Sequence, residues 1–589
     1  MFSIITDPDA RCTDTRPACW VIEWRPDAPC AAGCEVVLHT GCLRTMVAWR
    51  WTAFDPPPGA EPQWHAPEAP TFNEVAAHNS RCVLLRLRLT DGLPAGGALR
   101  CSIVARPART PGVDAPLWIE AQPAAGAPLL CEGPVLLRSL AGPACGLQVA
   151  ARAAPELDGS VRVCVAAVDA AGFPTHFERS VPAVLTDGRA DLWRGTVLDR
   201  SIVHVVPWGG ASCIKAVGPH AALSGPINTD GPEGLLPLFG AIHWHTDLSG
   251  DGARTLEEAF TAARDFLNLD FAAPADHTPA GHKWAMTVEA CERFNEPGHF
   301  ATLYGYEQSS DQGHVNFYFL EADHPMNPDR APRGRPAGYI NDLPHAGFLA
   351  IPHHTNAVST ARRDDGSHYW TQYPWGPPRD YLRLVEVFQC RGNFEREDPP
   401  AGWRTVHRNH GASVQAALDM GHRLGFVGGT DNHCGWPAVP DAEGLAAAGL
   451  KLPGPSRIYT GVWAAARTRE AVFEALQARR TWACWDTRAV VWFTVGGVLQ
   501  GGELVAERGV PLAARIRMAV EAPLDVLEVV TNGGRVAWAA VDLGRGLRLD
   551  LRAELPAVER DCAWFYLRAR QRDGALIYAS PVTVRAAPA

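Results

Sequence analysis

Runs of lysine and arginine are missing from this sequence of 589 residues, whose formal net charge is −10. Nucleic-acid-binding domains carry a clustered basic footprint, so no nucleic-acid partner is expected. Also missing is any apolar run of about 18 residues, the length a membrane-spanning helix requires, and no membrane association is expected. The N-terminus, Met1-Phe2-Ser3-Ile4-Ile5-Thr6-Asp7, lacks a basic stretch leading into a long apolar one. The expectation is therefore a cytoplasmic protein without a signal peptide. Cys-x-x-Cys pairs are absent, and Cys30 and Cys34 are the closest pair among 16 cysteines, 11 of which lie at or before Cys213. Without an export signal these read as buried free thiols rather than disulfides. No Gly-x-Ser-x-Gly elbow is present, which disfavours a serine hydrolase.

What is there in excess is histidine in one window. Fifteen of the 21 histidines fall between His243 and His433, and none follows. That window holds His243-Trp244-His245, Asp251, Asp276-His277, Glu307, His314, His353-His354 and Asp431-Asn432-His433. A structural zinc site closes with about four ligands, often cysteines, whereas catalytic metal clusters use imidazole and carboxylate and keep a position open. On a strand, His-x-His places both rings on one face because side chains alternate with period two, and Asp431-x-His433 shares that geometry. The ligand types suit Zn, Mn or Fe, with no thiolate to favour zinc alone.

A chain of this length exceeds one core. Residues 1–235 read as a β-rich region of one or two sandwiches, from alternating runs such as Val83–Leu89, Leu99–Val104 and Val161–Val165 bounded by turns, with a possible break near 105–117. From 236 to 487, apolar strand-like runs end in metal-type residues. Leu238–Ile242 leads into His243, Leu269–Ala273 leads to Asp276-His277, and Leu424–Gly429 leads to Asp431. A Thr255…Glu258 capping box opens a helix through about Asn268. Strand, ligand, helix, strand is the order of a β/α barrel, whose functional side chains sit at the C-terminal strand ends. Residues 488–589 return to alternating strands, with a hairpin-type turn at Asn532-Gly533-Gly534, and read as a C-terminal β-sandwich.

The ordered ligands, with His243-Trp244-His245-Thr246, Ser249-Gly250-Asp251-Gly252, Ile351-Pro352-His353-His354-Thr355, Gly429-Thr430-Asp431-Asn432-His433 and Arg479-Arg480-Thr481-Trp482-Ala483, resemble the PHP (polymerase and histidinol phosphatase) superfamily. The resemblance covers about 236–495 and is nearest to the branch of carbaryl-type carbamate and ester hydrolases. It implies an α/β plus all-β chain with a distorted (β/α)7 barrel flanked by β-sandwiches, and two or three divalent metal ions. It further implies a first metal on His243, His245, Glu307 and Asp431. Glu307 would bridge to a second, completed by His314 and one of His353 and His354, with His353 chosen because it follows the strand residues Ala350-Ile351-Pro352, and Asp251, His277 and His433 would hold a third. His354 would then face substrate. Two positions depart from the pattern: Ala241 stands where relatives often have an acid, and Asp251 where some have histidine.

The implied activity is cleavage of an ester bond of a small molecule, carboxyl, carbamate or phosphoric, by hydroxide made available between two cations that share Glu307. A phosphoesterase proper would need cationic side chains beside the metals, for which Lys283, Arg362 and Arg363 are candidates. A non-catalytic binding protein with a vestigial barrel is the remaining alternative. Among lesser positions, Asp276 reads as orienting a ligand or as a strand-end turn residue. Glu386, in an apolar strand, needs a buried partner or an outward face. His282-Lys283-Trp284 reads as a loop, solvated or substrate-facing. Gly428-Gly429 either lets backbone approach the metals or ends a strand. An oligomer is possible.

Overall fold

The structure is a computed structural model that describes residues 1–587 apart from 15, 42–48, 57, 66–81, 278, 311–312, 330–346, 359–364, 369, 398–401, 405–410, 441–455 and 542. Two antiparallel sheets form the first part. One orders strands Phe2–Thr6, Ala18–Trp24, Leu99–Arg106 and Arg50–Asp55. The other orders Ala60–His65, Cys82–Leu89, Glu35–Thr40, Ala115–Ala121 and Leu130–Leu137. Strand Leu99–Arg106 alternates buried and part-exposed residues along its whole length, the signature of a sheet with one face on a core. Strand Ala115–Ala121 pairs back onto Glu35–Thr40, so residues 105–117 lie within this unit. The next unit has its own core, including Leu147, Val163, Val165, Leu185 and Val197. That core lies among strands of a sheet of Gly146–Ala151, Val161–Val168 and Arg200–Val205 and another built on Val181–Thr186 and Asp191–Val197.

The expected (β/α)7 barrel does not form. Strand makes up 46% of the structure and helix 9%, too little helix to alternate with seven barrel strands. Among the described residues of 236–487, the parallel ladders are Leu384–Gln389 with Gly425–Asn432, Gly425–Asn432 with Leu236–Trp244, Leu236–Trp244 with Phe271–Ala273, and Phe271–Ala273 with Ala301–Thr302. Strands Tyr304–Ser310, Gly313–Phe319 and Phe348–His353 instead form an antiparallel meander. Ser310 and Gly313 leave two residues between the first pair, far fewer than the dozen or so that a parallel crossover needs. Strand Ile458–Ala464 also runs antiparallel to Leu236–Trp244.

Helices flank this mixed sheet at a few places. Thr255 caps Leu256–Thr261, with the Thr255–Glu258 capping box complete, and a wider turn continues over Ala262–Phe266. Residues His282–Phe294 form a helix rather than a loop, with Trp284 buried.

Thr481–Trp485 pairs antiparallel with Leu576–Ala586, so the C-terminal strands continue the metal-region sheet instead of forming a separate layer after 487. A second sheet orders Val498–Leu499, Val490–Val495, Leu512–Ala519 and Arg548–Leu555. Asn532–Gly534 turns the chain between the antiparallel strands Leu524–Thr531 and Arg535–Val541. The junction is tied by a buried network in which Arg568 Nη1 donates to both Glu395 oxygens at 2.7 and 2.8 Å and Tyr578 OH donates to Glu395 Oε2 at 2.8 Å. Removing one partner there would strand a buried charge.

Candidate metal centre

Strand ends of two sheets, with the loops that carry Asp251 and His277, bring every predicted ligand into one cluster. His243 and His245 straddle the end of Leu236–Trp244, and Asp431 and His433 the end of Gly425–Asn432, two strands paired in parallel at those ends. Period-two alternation puts each pair on one face. Glu307 lies on the meander strand Tyr304–Ser310, and His314 sits directly opposite His353 across the next ladder, within side-chain reach. Three of these residues occupy left-handed backbone: His243 (φ 67), His354 (φ 37) and Asp431 (φ 48). A side chain at positive φ carries a conformational cost that the surroundings must offset, and such residues concentrate at functional sites.

Glu307 Oε2 lies 3.1 Å from His243 Nε2 and 3.3 Å from His245 Nε2. Asp431 Oδ1 lies 3.8 and 3.7 Å from the same two nitrogens. Four ligands around one ion at about 2.0–2.2 Å stand about 3.3–3.6 Å apart in a tetrahedron, so these four atoms match one cation in size. The other Glu307 oxygen, Oε1, lies 2.7 Å from His314 Nδ1, while His353 Nε2 is 3.6 Å from Oε2. His314, His353 and His354 offer nitrogens that lie within 4.8 Å of one another. A third group places Asp251 Oδ2 at 3.5 Å from His277 Nε2 and 3.4 Å from His433 Nε2, with those nitrogens 3.3 Å apart. His245 stacks on His433 at 4.1 Å between ring centroids and so joins the two halves.

The donor set fits divalent cations. Among the described residues, His245 Nε2, His353 Nε2 and Asp251 Oδ1 are buried atoms with no hydrogen-bond partner. Leaving such atoms unsatisfied costs about 1–3 kcal/mol each, and a cation would supply the missing partner. Burial holds the rings of His245, His353, His354 and His314 below the usual imidazole range, and the neutral ring is the form that binds metal. Burial would raise Glu307, but His277, His353 and His314 together with the His243 hydrogen bond hold its carboxyl well below the usual range. Asp251 is likewise pushed up by burial and drawn well below by His433 and His277. In His243 burial is overcome by Glu386 and Glu307, which lift the ring to about 9. In His277 it is overcome by Asp251 and Glu307, to the same value.

Glu386 faces inward. Its Oε1 lies 2.6 Å from His243 Nδ1 and accepts from Asn316 Nδ2 at 3.1 Å. A carboxylate on the far nitrogen of a ligating imidazole fixes its tautomer and orientation. Gly429 makes this possible, because a Cβ there would stand 2.1 Å from Glu386 Oε1. The glycine thus makes room for a carboxylate, not for the metals. Asp276 works through an intermediary. It accepts from Thr246 N at 2.6 Å and Ser249 Oγ at 2.9 Å, and Ser249 Oγ lies 3.0 Å from His245 Nδ1.

The third group hangs on two cross-tied loops. Ala253 N donates to His433 O at 2.9 Å. Just beyond, Trp436 Nε1 donates to Pro111 O at 3.0 Å, and the Arg254 guanidinium lies 4.3 Å over its ring. Trp436 also packs against Phe173, so both N-terminal β units brace the loop that carries His433.

Sequence reasoning missed Arg391, Gln389 and Trp370. Arg391 Nη1 forms an ion pair with Asp431 Oδ2. Gln389 Nε2 donates to the same oxygen at 2.7 Å and sits 3.3 Å from His353 Nδ1. Trp370 stacks on His354 at 4.0 Å. Gln389 closes a strand of the type that ends in ligands elsewhere, which was the one available signal. The expected anion candidates fare differently: Lys283 Nζ is committed to Leu248 O at 2.7 Å, and Arg362 and Arg363 lie outside the described residues. Among the described residues no helix is long and apolar enough to cross a membrane.

Residues 252–320 match the family described as "Protein of unknown function (DUF3604)". Two curated relatives are an uncharacterized protein of Chlamydia pneumoniae, 23% identical over 62% of this chain and 59% of its own length, and one of Chlamydia trachomatis, 22% identical over 61% and 59%. The chain thus spans about three fifths of the relatives it matches. Among solved structures, a beta-glucuronidase of Parabacteroides merdae aligns over 99% of this chain and 80% of that one, at 10% identity and a TM-score of 0.14. A putative beta-galactosidase of Bacteroides fragilis aligns over 98% and 92%, at 10% identity and a TM-score of 0.18.

Proposed function

We propose that this chain is a metal-dependent hydrolase that cleaves an ester bond of a small molecule, with two divalent cations (Zn, Mn or Fe) at Glu307 and a third subsite at Asp251, His277 and His433. The observation that carries the proposal is Glu307, a buried carboxylate whose two oxygens face different imidazole groups, His243 and His245 on one side and His314 on the other. Cations held there would lower the pKa of a bound water and polarise the scissile bond. Glu386 holds His243 in the orientation that presents Nε2 to Glu307, and the Asp276–Ser249 pair does the same for His245. His353 supplies a ligand nitrogen to the Glu307 side. His354, neutral by burial and steadied by Trp370, faces the substrate and carries a proton to or from the reacting oxygens. The order of ligands, which resembles that of the PHP superfamily, also supports the hydrolytic reading. The test is turnover of p-nitrophenyl acetate, p-nitrophenyl phosphate, bis-p-nitrophenyl phosphate and aryl carbamates after chelation and after return of Mn, Zn or Fe. Activity that disappears with the metal and returns with it is expected. Full activity in protein holding fewer than one transition ion per chain overturns the proposal.

A further inference from the structure

Arg391 stands where an electrostatic argument alone would not put it. Its guanidinium pairs with Asp431 Oδ2, the oxygen turned away from His243 and His245, while Asp431 Oδ1 faces those two rings. A fixed cation beside a cluster of metal ligands opposes the binding of further cations. One carboxylate shared between them offsets this only in part. The group that reconciles a guanidinium with neighbouring dications is an anion lying between them.

The side chain is placed to meet such an anion. Arg391 is one-third exposed beside the buried Glu307, Asp431, His353 and His354. Among the described residues only Nη1 is engaged, with Asp431 Oδ2, with Gln389 Oε1 at 3.3 Å and with Cys390 Sγ at 4.0 Å. Among the described residues Nε and Nη2 donate to nothing, which leaves one edge of a planar fork suited to two oxygens of a carboxylate or phosphoryl group. Gln389, which accepts from Arg391 Nη1, lies 3.3 Å from His353 Nδ1, so the guanidinium stands beside the second imidazole group. Gln389 anchors the segment by accepting the Arg391 backbone N–H at 3.1 Å while donating to Asp431.

We infer that Arg391 is the substrate-binding residue for an oxyanion, so that the preferred ester bears either a phosphoryl group at the scissile centre or a carboxylate beside it. This rests on the hydrolytic reading above but concerns which esters are accepted. The experiment compares the wild type, Arg391→Lys and Arg391→Met, each checked for fold by circular dichroism and for metal content. The esters are p-nitrophenyl acetate, mono-p-nitrophenyl succinate and p-nitrophenyl phosphate, and inorganic phosphate is titrated calorimetrically into the manganese-loaded protein. Loss of one charge-assisted hydrogen-bonded pair predicts a fall of about ten- to hundredfold in kcat/KM for an anionic ester in Arg391→Met. Partial rescue in Arg391→Lys, little change on the acetate and weaker phosphate binding should accompany it. A fall on the succinate alone assigns the carboxylate source, and a fall on the phosphate ester alone assigns the phosphoryl source. Equal losses on acetate and anionic esters would reduce Arg391 to a support for Asp431 and overturn the inference, as would no loss on any. If the wild type hydrolyses none of the esters, the reaction class fails and the phosphate titration decides alone: tighter binding by wild type sustains the inference, and equal binding overturns it.

Discussion

The Glu307 group and the Asp251 group use the same ligand chemistry in opposite settings. His243, His245, His353, His354, Glu307 and Asp431 are all nearly inaccessible, and strands or strand ends carry them. In the other group the side chains of Asp251 and His277 are 43% and 26% exposed, and Asp251 comes from a loop. Ligands on paired strands are fixed by the ladder, whereas a loop ligand is only as fixed as the contacts beneath it. The contrast predicts a tightly held pair of ions and a third that is more readily lost. It also gives the N-terminal β units a physical role, since Pro111 and Phe173 hold the loop after His433 through Trp436.

Substitutions that separate the two groups sharpen this contrast. Glu307→Gln should have the largest effect, because it weakens both sides of the inner pair; we expect loss of both ions and a fall in activity on the order of 10³-fold, read by metal content and steady-state rates. Glu386→Gln should lower metal affinity or activity about 10- to 100-fold by releasing His243, as seen in chelator competition. Gly429→Ala should act in the same direction, because its new Cβ would displace the Glu386 carboxylate. Asp251→Asn should remove one ion and leave the inner pair loaded, which elemental analysis would read as a drop of about one ion per chain. The smallest effect belongs to Trp436→Phe. It leaves the Pro111 carbonyl unpaired, a cost of about 1–3 kcal/mol, and should speed loss of the outer ion in a dialysis series without touching the inner pair. Simultaneous loss of all ions in Asp251→Asn or Trp436→Phe would break the comparison.

Much of the site was legible because its ligands obey strand periodicity. His243-x-His245 and Asp431-x-His433 announce one face of a strand whatever sheet that strand joins. Glu386 was legible through the cost of burying a carboxylate in an apolar run. Arg391 was not, since it follows a strand end with no spacing signal, and its partner Asp431 lies 40 positions away. The barrel expectation failed for a related reason. Apolar runs ending in ligands mark strands, but they carry no information on direction, and Tyr304–Ser310 pairs antiparallel with Gly313–Phe319 because the turn between them is too short for a crossover. Likewise Thr481–Trp485 reads as the end of one domain, yet it is the strand that joins the last one to it.

The central claim, that Glu307 holds two cations at once, is tested most directly by locating ions through anomalous scattering in crystals of manganese- or zinc-loaded protein. Two sites about 3.5–4 Å apart, one beside His243, His245 and Asp431 and one beside His314, each contacting a Glu307 oxygen, are predicted. A single ion contacting only one Glu307 oxygen, or ions bound elsewhere with Glu307 free of metal, would contradict it.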